Sequence, residues 1–114
     1  MDYNFCKKMI DDLFIPVGQM VGIQVFVIIF ERALWKTELN YEEADLIHVS
    51  EAGVELQELS KIAPDRAVLV LTEFLNNIVN TLVQLIGKQA VKQLTDELGE
   101  FMLEENSGSL SWGG

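Results

Sequence analysis

Six apolar residues, Val68, Leu71, Leu75, Ile78, Leu82 and Leu85, recur at alternating steps of three and four without a miss. That spacing places all six along one side of a helix, and Pro64 suits the first turn of such a helix. A helix over about 64–86 with so continuous a stripe needs an apolar partner of similar length. The rest of its surface is unusual: between Arg66 and Lys88 the single charged residue is Glu73, while Asn76, Asn77, Asn80, Thr81 and Gln84 are polar and neutral. Solvated helix faces usually carry more charge. Asn76, Asn77, Asn80 and Gln84 are therefore a candidate face for a protein partner.

The segment from Val17 to Leu39 is the natural counterpart. Fourteen residues pass there before the first ionisable side chain, Glu31. The β-branched residues Val21, Ile23, Val25, Val27, Ile28 and Ile29 suit a strand, but "FERALWKTEL" consists mostly of helix formers. Ile23, Phe26, Val27, Phe30 and Leu34 fall at the spacing of one helical face, and Gln24, Glu31 and Glu38 form a narrow polar wedge. A helix that is apolar around most of its circumference is buried on more than one side. One small domain has few elements with which to surround it, so a second copy of the chain is expected. Gly22, Phe26, Ile29, Phe30 and Ala33 are the candidate dimer interface. Gly18 and Gly22 also form a Gly-x-x-x-Gly step, a weak signal outside membranes.

The remaining segments are shorter. Cys6, Met9, Ile10 and Leu13 follow helical spacing opposite Lys7, Lys8, Asp11 and Asp12, which predicts a first helix ending near Ile15, with Pro16 opening the next. Asn40 and Glu43 are spaced like a capping box that begins a short helix. Ile47 and Val49, then Val54 and Leu56, alternate around a turn-like Ser50 to Gly53, predicting a short β-hairpin or irregular loop near 47–56. A continuous helix broken at Gly53 is the alternative. Beyond Gly87 the phase shifts, and Ala90, Val91, Leu94, Leu98 and Phe101 make a second stripe. The chain reads as one domain over 1–104 with a flexible tail over 105–114 that includes Trp112. The expected fold is all-α or mainly α, a small helical bundle whose central pair is 17–39 and 64–86.

Composition limits the function. The net charge is −10, from eighteen acidic and eight basic residues, and the one adjacent basic pair is Lys7 and Lys8. Nucleic acid is a poor partner for such a chain, because phosphates are held by clustered Lys and Arg. From Glu38 to Glu58 there are seven acids and no Lys or Arg, which suits a solvated acidic face and, less often, a docking surface for a basic partner. Cys6 is the single cysteine and reads as a core hydrophobe. With no secretory signal at the start and an apolar run from Pro16 to Phe30 that is interrupted and short, neither export nor a membrane span is expected. The chain reads as cytoplasmic.

No phosphate loop, paired-cysteine site or nucleophile elbow occurs in the sequence. Asp45 and His48, with Glu42 nearby, have the spacing of the Glu-x-x-His motif of di-iron bundles, but such sites need two motifs and this chain has one His. No metal and no cofactor is expected. The preferred reading is a non-catalytic homodimeric interaction or regulatory module, of a kind that would suit bacterial signalling. The alternatives are a sensor holding an apolar ligand or cofactor between the central helices, lined by residues such as Phe26, Phe30, Leu75 and Ile78, and a metal-dependent enzyme.

Overall fold

A computed structural model describes residues 3–94. The fold over them is mainly α: four helices, α1 (Tyr3–Val21), α2 (Ile23–Glu38), α3 (Pro64–Ile86) and α4 (Lys88–Leu94), with a small antiparallel hairpin between α2 and α3. The hairpin strands, β1 (His48–Ser50) and β2 (Gly53–Glu55), are flanked by short 3-10 segments at Glu42–Leu46 and Leu59–Lys61.

The first helix runs straight through Pro16 rather than ending at Ile15. Its buried stripe explains why: Cys6, Met9, Ile10, Leu13 and Val17 keep helical spacing on both sides of the proline. Burying Leu13 and Val17, each worth about 1.5–3 kcal/mol, outweighs the ~3 kcal/mol that an internal proline costs. The break falls six residues later, at Gly22, whose φ of 87° and ψ of 149° lie where side chains other than hydrogen are strained. The second helix accordingly begins at Ile23, not Val17.

Pro64 sits in the first turn of α3, and Gly87, with φ 90°, ends it. Both boundaries fall where the sequence signals them. The capping-box segment instead folds as a 3-10 turn over Glu42–Leu46, with no side-chain cap at its start. In the hairpin Val49 faces Val54 and Ser50 faces Gly53, and the Ser50 hydroxyl accepts a hydrogen bond from the Ala52 amide across the turn.

The core lies where α1, α2 and α3 meet. An aromatic series joins them: Phe14 meets Phe26 edge-on at 4.4 Å, Phe26 stacks on Phe30 at 4.1 Å, and Phe30 meets Phe74 edge-on at 6.2 Å. Helices α2 and α3 run in opposite directions, since Asn40 at the end of α2 bonds Glu73, and Thr37 bonds Asn77. Cys6 is fully buried, 3.7 Å from the Thr72 hydroxyl. Of the heptad residues in α3, Leu71, Leu75, Ile78 and Leu82 are buried, whereas Leu85 is 56% exposed. Among the described residues, α3 is the one helix long and apolar enough to cross a membrane; 44% of that window is buried within the fold, and the core helix of a soluble domain passes the same test.

Candidate interaction surface

The dimer-interface residues expected from the sequence occupy two different environments. Phe26, Phe30 and Ala33 are fully buried and Ile29 nearly so, while Gly22 is exposed. One side of this helix is covered by its own chain: Phe14 from α1 and Phe74 from α3 reach its central phenylalanines. Gly22 meets no atom within 4 Å of an added Cβ, and Gly18 meets only Ile23 at 3.9 Å. Among the described residues, this Gly-x-x-x-Gly step therefore brings no neighbouring helix backbone within 4 Å of an added Cβ; the one contact is the Ile23 side chain at the start of α2.

Much of the apolar surface that α2 leaves uncovered lies on its opposite side. Val25, Ile28, Trp35 and the following Leu39 are 39%, 63%, 57% and 67% exposed, and the end of α3 adds Leu85. Val25, Ile28, Ile29 and Leu85 line an open groove of about 320 Å³ between the two helices, with Arg32, Thr81 and Gln84 as its polar members. Single exposed apolar residues are ordinary on protein surfaces. Val25, Ile28 and Leu85 are instead gathered around one groove, which makes it the candidate surface.

The amide-rich face of α3 is divided between the interior and this groove. Asn77 donates to the Thr37 hydroxyl at 3.0 Å, and Thr37, itself fully buried, donates to the Ala33 carbonyl at 2.8 Å. Thr81 donates to the Asn77 carbonyl. The bond from Asn77 to Thr37 ties α3 to α2 and makes Asn77 a structural contact. Asn76 and Asn80 are half-buried, and the Asn80 Oδ1 is buried with no partner. Gln84 alone of the four is exposed, at the groove. The signal that could have placed Asn77 inside was Thr37, a polar residue at helical spacing from Phe30 and Ala33.

Asp45 and His48 do not share a helical face, because Asp45 is in the 3-10 turn and His48 opens β1. The His48 Nε2 lies 3.5 Å from a Glu58 carboxylate oxygen at the surface. Among the described residues no group of three or more His, Cys, Asp or Glu is placed to hold a metal ion.

The acidic 38–58 segment also holds an Arg–carboxylate pair. Arg66, at the start of α3, donates from Nε and Nη2 to the two carboxylate oxygens of Glu43 and stacks over the Tyr41 ring at 4.8 Å. The guanidinium hydrogen bond holds the Glu43 carboxyl below its ordinary pKa and raises that of Arg66. A second groove, about 430 Å³, separates the start of α1 from the hairpin and is lined by Tyr3, Lys7, Val54, Glu55 and Leu56 among others. The Tyr3 hydroxyl there donates to the Leu56 carbonyl, and burial pushes its pKa up.

Comparison of the chain with family models, with curated proteins and with solved structures returns no match.

Proposed function

We propose that this chain is a non-catalytic interaction module that acts as a homodimer, with regulation through its assembly. One observation carries the reading: α2 leaves Val25, Ile28, Trp35 and the following Leu39 exposed, and Val25 and Ile28 share a groove with Leu85 of α3, while Phe26 and Phe30 pack against each other and against Phe14 and Phe74. Phe26 and Phe30, which the sensor alternative would use to line a ligand site, are engaged with each other and with Phe14 and Phe74, as in an ordinary close-packed interior, which argues against that alternative. Gln84, beside the groove, remains available to a protein partner, whereas Asn77 is engaged internally.

Light scattering and sedimentation equilibrium at micromolar concentration test the proposal. The expected result is twice the chain mass. A monomer across the whole range overturns it, and a stoichiometric apolar compound in native mass spectra of that monomer would favour the sensor instead.

A further inference from the structure

The exposed residues of α2 have a spacing of their own. Val25, Ile28, Arg32, Trp35 and Leu39 follow one another at steps of three, four, three and four, which is the a and d pattern of a coiled-coil seam. This seam lies on the solvent side of a helix whose other side is already packed against its own chain. We infer that α2 pairs through this seam, antiparallel, with α2 of a second copy of the chain; the inference rests on the homodimer reading and names its face and arrangement.

Area supports a second copy as the occupant. A fully exposed large apolar side chain offers roughly 100–250 Å². At the exposures of Val25, Ile28, Trp35, Leu39 and Leu85, each copy presents roughly 400–600 Å² of apolar surface on that basis. Apolar atoms make up a little over half of a typical interface, so two such patches match a total near the standard size of about 1,600 Å².

Charge selects the orientation. A parallel pair would set Arg32 against Arg32 at the seam, two like charges at close range. An antiparallel pair, with its two-fold axis between Ile28 and Arg32, sets Val25 against Trp35 and Arg32 against Ile28. The long Arg32 side chain can then lay its methylenes along Ile28 of the second copy and extend its guanidinium toward that copy's Glu31. Neither Glu31 nor Arg32 has an ion pair among the described residues, so both are available. A net charge of −10 works against the main competing occupant, an anionic membrane surface.

Ile28→Glu and Trp35→Glu each place a carboxylate in the seam at an exposed position, so the variants should keep the parent's circular dichroism and become monomeric. Leu69→Glu, at an exposed apolar position of α3 outside the seam, should stay dimeric. Oxidising a mixture of Val25→Cys and Trp35→Cys chains, both of which keep Arg32, should link residue 25 to residue 35 in preference to either like pair; Cys6 is buried and does not compete. If the parent is a dimer and both glutamate variants remain dimers, the seam is wrong while the homodimer reading survives. Preferred 25–25 and 35–35 links overturn the antiparallel arrangement. A monomeric parent removes both, and if that monomer binds phosphatidylcholine vesicles in a manner lost in Ile28→Glu, the face belongs to a bilayer.

Discussion

At the scale of single residues, burial decides what a substitution costs. Ile78 is fully buried in the stripe that α3 turns toward the core, so Ile78→Ala should destabilise the fold by about 2–5 kcal/mol in urea or thermal unfolding, the usual range for a large-to-small core change. Glu43 and Arg66 act differently, through protonation. Arg66 holds the Glu43 pKa below its unfolded value, so the pair's contribution is complete above the ordinary glutamate pKa of about 4.3. It is lost as pH falls through the lowered folded value. The stability difference between the parent and Arg66→Met should therefore narrow as unfolding is followed from neutral pH toward pH 3; a difference that stays constant would show that Arg66 acts by packing over Tyr41 instead. This pair was not readable from the sequence, because Glu43 and Arg66 lie on separate elements that only the fold brings together.

At the scale of elements, the breaks govern the architecture. Gly22 separates α1 from α2 with a backbone conformation that glycine alone adopts easily, and no neighbouring atom would obstruct a Cβ there. Gly22→Ala should then cost about 1–3 kcal/mol through backbone strain alone, with far-ultraviolet circular dichroism of the folded state little changed. An unaltered melting temperature would show that the α1 to α2 junction tolerates a helical joint. Gly22 was visible in the sequence, but so was Pro16, and local rules favoured the proline as the boundary. The stripe from Cys6 to Val17 passes through Pro16 because its burial against the other helices exceeds the local penalty. Pro64 and Gly87 raised no such conflict, since the apolar pattern changes at the same places. The hairpin was legible because a two-residue turn is specified by its own neighbours, Ser50 and Gly53.

At the scale of the whole molecule, self-association must overcome like charge. Two chains of net charge −10 repel each other, and that repulsion is screened beyond about 8 Å at physiological ionic strength, whereas apolar burial is not weakened by salt. Dimerisation through the α2 seam should therefore strengthen when salt is raised from low to physiological concentration, measured as a falling dissociation constant in sedimentation equilibrium. A constant that rises steeply would mean that ion pairs such as Arg32 with Glu31 dominate the interface.

The sequence by itself determined that the chain is mainly helical and that α3 covers about 64–86 with one apolar stripe, and it offered a small hairpin near Ser50 to Gly53 beside a loop or a broken helix; the fold takes the hairpin. Each of these depends on neighbours within a few positions, where spacing and turn chemistry act directly. Tertiary structure decided which side of α2 faces inward. Periodicity assigns angles around a helix, but α2 is apolar nearly all the way round, so its own pattern favours no single side. The packing of Phe14 and Phe74 against Phe26 and Phe30, and the bond from Asn77 to Thr37, turn one face into the core. The remaining face, from Val25 to Leu39, is left at the surface.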